Sequence, residues 1–265
     1  MTVNLQVRSA GQGPALVLLH GLFGSGANLG ALARSQQAQY TVHSVDLPNH
    51  GRSGWLAEPT LTHMADSLLQ WLDEQGLERV ALFGHSLGGK VAMELALRAP
   101  QRVAALVVAD IAPVTYEPRH QRVFAALEAV ARAHCGSRDE VAAILDGQLT
   151  EPGVAQFLMM SLQRSEQGDY TWRFDREGLQ AHYGALSGAP GEGRNYPGPV
   201  LFIKGANSDY IREEHREAIM QRFPQAQLRV VPGTGHWLHA DKPDLVNSIV
   251  SRFLSANLTE TRGPP

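Results

Sequence analysis

The chain has 265 residues, 43% of them hydrophobic, and its 23 Lys and Arg against 26 Asp and Glu leave a net charge of −3. That length buries a full core in one α/β unit with an insertion, and the near-balance of charge excludes the basic stripe that nucleic acid or an anionic membrane surface calls for. The first residues lack a basic start followed by an apolar run, and no stretch reaches the length of a spanning helix. A cytoplasmic protein with neither nucleic acid nor membrane as partner is expected. Cys135 is the single cysteine, which rules out an internal disulfide and reads as a passive thiol.

In chain order, Val/Leu-rich runs at 4–8, 15–20, 41–46, 79–83, 103–110, 200–204 and 227–231 read as strands, with helices at 29–39, 62–75, 87–99, 212–223 and 244–256 between them. Alternation of this kind predicts a doubly wound, mostly parallel sheet covered on both faces. The spacing breaks once, after Asp110, where helical patches at 121–133, 139–149 and 154–162 replace strands. A connection that long inside a compact domain is usually functional. Residues 1–114 and 196–265 are therefore expected to form the core, with 115–195 as an inserted helical lid and a Gly/Pro-rich return near 188–199.

After the second strand, His20-Gly21-Leu22-Phe23 forms a glycine-bent loop that frees the amide of Leu22, or alternatively Phe23, while His20 braces it. Asp46-Leu47-Pro48-Asn49-His50-Gly51 ends the third strand in a tight polar turn that reads as structural. The fourth strand runs straight into Gly84-His85-Ser86-Leu87-Gly88 and then a helix. A strand that reverses so sharply strains its turn residue, and the two glycines remove side chains that would clash, leaving Ser86 exposed as a nucleophile. The first free N–H of the helix, at Leu87, points to where negative charge develops beside the serine oxygen. Lid and loop apolar residues Phe124, Leu127, Phe157, Leu158, Met159, Met160 and Trp237 are expected to shape the substrate pocket.

A serine hydroxyl needs a base. Among eleven histidines, His236 follows a strand end and a glycine loop, Val231-Pro232-Gly233-Thr234-Gly235-His236, with His239 as runner-up. The pair lacks the further ligands of a metal centre, so no metal and no cofactor are expected. The carboxylate that orients the imidazole is open between two residues. Asp110 emerges from a strand end before Pro113, and Asp209 sits in Gly205-Ala206-Asn207-Ser208-Asp209, which reads as a flexible loop. Both keep the order Ser, Asp, His.

Over nearly its whole length the chain resembles the α/β-hydrolase superfamily. Within it, His20-Gly21-Leu22-Phe23-Gly24-Ser25, Asn49-His50-Gly51, Gly84-His85-Ser86-Leu87-Gly88-Gly89-Lys90, Asp110-Ile111-Ala112-Pro113 and Gly235-His236-Trp237-Leu238-His239-Ala240 are similar to the YbfF-type bacterial esterases. That resemblance implies hydrolysis of short to medium acyl esters, with acyl thioesters as further small-molecule substrates, through Ser86, Asp110 and His236. It tips the choice of acid to Asp110. Asn49 departs from the superfamily, where glycine is more usual.

Epoxide or haloalkane hydrolysis on this fold uses an aspartate nucleophile, which Ser86 excludes. A cofactor-free perhydrolase would use the same triad, and a non-catalytic binding module would typically lack a triad member. Nothing in the pattern fixes an oligomeric state.

Overall fold

The computed structural model describes residues 2–258 apart from 152 and 192; Met1 and residues 259–265 of the expected core, and Glu192 of the return loop, lie outside the described residues. In chain order the strands are β1 (Val7–Ala10), β2 (Ala15–Leu19), β3 (Thr41–Val45), β4 (Val80–His85), β5 (Val103–Ala109), β6 (Leu162–Arg164), β7 (Tyr170–Trp172), β8 (Val200–Gly205) and β9 (Ala226–Val231). The helices are α1 (Gly30–Gln36), α2 (Leu61–Glu74), α3 (Leu87–Arg98), α4 (Gln121–Ala133), α5 (Arg138–Gln148), α6 (Val154–Met159), α7 (Arg176–Ala181), α8 (Tyr183–Ser187), α9 (Arg216–Arg222), α10 (Leu238–Asp241) and α11 (Pro243–Asn257).

Seven strands form one sheet in the order β1-β3-β2-β4-β5-β8-β9, parallel except for β1, which runs antiparallel to β3 at the edge. The central strands β4 and β5 are buried on both faces, which is why they read as unbroken apolar runs. One apolar layer joins the sheet to α1 and α11 through Leu32, Val246, Val250 and Leu254, and the other joins it to α2 and α3 through Met64, Leu68, Val91 and Leu95. Parallel register brings the carboxyl ends together: His85 lies opposite Ala109, and Ala109 opposite Ile203. Ligands of open α/β sheets bind beyond such ends.

Several boundaries differ from the sequence pattern. The first strand is Val7–Ala10 rather than 4–8, because its register is set by pairing with β3. The expected helix at 212–223 begins as a tight turn over Glu213–His215 before α9. The segment between β5 and β8 is not purely helical. The helix expected to reach 162 stops at Met159, Leu162 enters a short antiparallel hairpin with Tyr170–Trp172, and α7 and α8 follow. This segment shares one apolar cluster with the sheet face, since Leu127, Leu158 and Trp172 join Val91 and Leu95 there. A bridge between His50 and Phe174, with Asn49 Nδ2–H donating to Asp175 Oδ2 at 2.8 Å, ties it to the turn after β3. No helix among the described residues is long and apolar enough to cross a membrane.

Candidate active site

Ser86 sits between β4 and α3 with φ 53 and ψ −118, a left-handed conformation that L residues seldom adopt. The turn is possible because a Cβ at Gly84 would collide with the Gly88 carbonyl and one at Gly88 with the Leu19 carbonyl. Ser86 N–H donates to the Ala109 carbonyl at 3.1 Å, fixing the turn to β5. Leu87, as the first helical residue, has no carbonyl four residues back within the helix to receive its N–H. Beside it runs the loop after β2. A Cβ at Gly21 would lie 3.4 Å from Ser86 Cβ, and among the described residues neither Leu22 nor Phe23 N–H takes a backbone carbonyl. His20 holds this loop: its Nδ1–H donates to the Gly21 carbonyl at 2.7 Å, and its Nε2 accepts Leu47 N–H at 2.9 Å. Burial pulls its pKa down to about 4, so the ring is a neutral brace.

His236 Nδ1–H donates to Asp110 Oδ2 at 2.8 Å. The Asp110 carboxylate is fully buried and receives two further donors, Gly205 N–H on Oδ1 at 3.0 Å and Ser208 Oγ–H on Oδ2. With three donors on its two oxygens, this buried carboxylate is fixed in direction. The loop 205–209, expected to be flexible, is instead bonded through its first four residues: Gly205 N–H donates to Asp110, Ala206 N–H to Val231, Asn207 N–H to Thr234 and Ser208 N–H to Gly205. Asp110 itself is held by this loop and by its own N–H on the Ile203 carbonyl at 2.8 Å, rather than by the turn at Pro113. Ser208 is the site residue that sequence reasoning missed. Its only signal was a place after a strand end, and the bond it makes spans 98 residues of chain.

Asp209 goes elsewhere. Its carboxylate is exposed and pairs with Arg119 at 2.7 Å. Arg119 also lies over the Tyr210 ring at 5.0 Å, and Tyr210 stacks on His236 with centroids 4.1 Å apart and an interplanar angle of 25°. His85 Nε2–H donates to the His236 carbonyl at 2.9 Å, joining the serine turn to the histidine loop. His239 packs on His85, its ring centre 4.4 Å away, and burial with His236 nearby pulls its pKa down to about 4. Behind the serine, Lys90 is buried, and its Nζ donates to the carbonyls of Val114 at 2.6 Å, Ser187 at 2.8 Å and Gly188. Desolvation draws this ammonium down to about 7.

Two cavities meet at Ser86. The larger, about 880 Å³, is lined by Ser86, His236, Leu22, Phe23, Phe157, Leu158 and Trp237 among others, with Arg119, Arg122 and Glu151 at its polar wall. The smaller, about 40 Å³, shares Leu22, Ser86, Arg119, His120 and Tyr210 with it. Four of the expected pocket residues line neither. Phe124 and Leu127 lie at helical spacing on the buried face of α4, Met159 packs against the core, and Met160 is 60% exposed just past the end of α6. The lining that replaces them comes from Val123, Leu149 and Val154.

The family model for the alpha/beta hydrolase fold matches residues 14–243. The chain is 39% identical over 264 residues to Esterase YbfF of Escherichia coli (strain K12), covering 96% of this chain and 100% of that protein. It is also 39% identical over 250 residues to the sn-1-specific diacylglycerol lipase ABHD11 of Mus musculus, covering 91% and 81%. Among solved structures it is similar to a marine microorganism esterase, with a TM-score of 0.92 and 33% identity over 96% of this chain and 100% of that one. A mostly parallel sheet with a serine turn at the end of a central strand, matched over four fifths or more of each of these relatives, places the chain in the alpha/beta hydrolase fold family as a hydrolase of the carboxylesterase type.

Proposed function

We propose that the protein cleaves small-molecule carboxylic esters through an acyl-enzyme on Ser86. His236 takes the Ser86 proton as the oxygen attacks the carbonyl, and Asp110 holds the imidazole in the tautomer that leaves Nε2 free to accept it. The amides of Leu22, or Phe23, and Leu87 carry the charge that develops on the carbonyl oxygen. His236 then returns the proton to the departing alcohol. Water, deprotonated by the same ring, releases the acid and restores the serine. Thioesters follow the same path with a thiol as leaving group. The segment 115–195 acts as the lid of this site, with Val123, Val154, Phe157 and Leu158 over the larger cavity.

The observation that carries this reading is the hydrogen bond from His236 Nδ1–H to a fully buried Asp110 carboxylate, on the loop that His85 bonds to the serine turn. A fluorophosphonate probe with intact-mass detection tests it: one adduct is expected on the wild type and none on Ser86→Ala, whose turnover of p-nitrophenyl acetate falls by several orders of magnitude. Full turnover in Ser86→Ala would remove this serine from the reaction.

A further inference from the structure

The space around Ser86 is divided unequally, and the division has a chemical direction. His236 and Trp237 line the larger cavity of about 880 Å³. Neither reaches the smaller one of about 40 Å³, which lies between Leu87, Ile111, Lys90 and the α8 residues Tyr183 and Leu186. When a tetrahedral intermediate collapses toward acyl-enzyme, the bond from the carbonyl carbon to the leaving oxygen breaks and that oxygen takes the proton held on His236 Nε2. The leaving group must therefore stand on the His236 side of the serine. The acyl chain, attached to the same carbon, points away from it.

We infer that this site takes esters of short acids with large alcohols, the acyl group seated in the small cavity behind Ser86 and the alcohol in the large one. The inference rests on the serine-hydrolase reading above. A volume of about 40 Å³ holds about three water-sized groups, enough for acetyl or propionyl and too little for an octanoyl chain. Its walls are held in place. Ile111 and Leu186 are each 3% exposed, and Tyr183 Oη bonds His120 Nδ1 at 2.5 Å. Lys90 Nζ cannot swing aside without giving up its carbonyl partners on both ends of the lid segment. The larger cavity has no such limit, and water for the second half-reaction enters by the route the alcohol vacates.

Octyl acetate and ethyl octanoate are isomers in which the long chain changes sides of the ester, so overall size and composition are matched. In pH-stat assays the wild type is expected to hydrolyse octyl acetate with a kcat/KM higher by about tenfold or more, the cost of leaving several methylenes without room in a small pocket. Leu186→Ala should narrow the ratio by raising ethyl octanoate turnover, whereas Phe157→Ala should weaken octyl acetate alone. Equal rates, or a preference for ethyl octanoate, in wild-type protein that still labels with fluorophosphonate would overturn the assignment of halves and leave the hydrolase standing. Relief of ethyl octanoate by Phe157→Ala would do the same. Absence of both turnover and labelling would remove the hydrolase reading and this inference with it.

Discussion

Removing the charge of Asp110 disturbs three donors together, His236 Nδ1, Gly205 N and Ser208 Oγ, whereas Asp209 touches only an exposed arginine. Asp110→Asn is therefore expected to lower kcat for p-nitrophenyl acetate by up to about 10⁴ through the wrong imidazole tautomer, and Asp209→Asn by no more than a few-fold. The opposite order in steady-state kinetics would exchange their roles. His236→Ala should match Ser86→Ala in severity while His239→Ala, whose ring packs at a tilt against His85, costs far less. Tyr210 adds a subtler effect. Its face lies against the His236 ring and helps to hold the plane of that ring in place. Tyr210→Leu should lower kcat for p-nitrophenyl acetate several-fold by loosening the ring, Tyr210→Phe should leave it nearly unchanged, and an equal loss in both would assign the effect to the hydroxyl. Ser86 and His236 were legible because a glycine turn after an apolar strand is a local signal. Ser208 was not, since its partner is fixed by the pairing of β5 with β8 and not by neighbours in sequence.

The same limit governs the elements. Strands β4 and β5 could be read because burial on both faces leaves a continuous apolar run, and α4 because its apolar residues repeat at helical spacing. That spacing also misled: it marks the face α4 turns to the core, so Phe124 and Leu127 are packing residues although they belong to the segment over the site. The hairpin of β6 and β7 has three residues per strand, too few to display a period of two. Asn49, an oddity in sequence, acquires its meaning here. At φ 62 it occupies a conformation that glycine would also accept. Its side chain, though, bonds the Leu56 carbonyl and N–H within the turn and the Asp175 carboxylate across to α7. Asn49→Gly should therefore destabilise the protein by about 1–3 kcal/mol in urea unfolding despite suiting the backbone, because buried partners are left unpaired. No loss of stability would show the tie between turn and insertion to be dispensable.

Across the whole molecule, seven of the eleven histidines are held below their ordinary range by burial: His20, His120 and His239 at about 4, His50 at about 3, and His43, His85 and His215 by direction. As pH falls below the ordinary histidine value of 6.5, an unfolded chain takes up protons that the folded one refuses. Stability is thus complete above about 6.5 and declines down to about 3, steeply because several groups act together. Calorimetric melting temperatures over that window should fall continuously, and a flat profile would mean that these rings gain their protons without unfolding. Lys90 bears on a different property. Val114 lies where the chain leaves the sheet for the insertion, and Ser187 and Gly188 where it comes back, so both ends meet on one ammonium. Whatever contacts the segment makes along its length, the distance between its two ends is set at this one side chain. That side chain stands one helical turn beyond Ser86, so the spacing of the two ends is registered to the turn between β4 and α3.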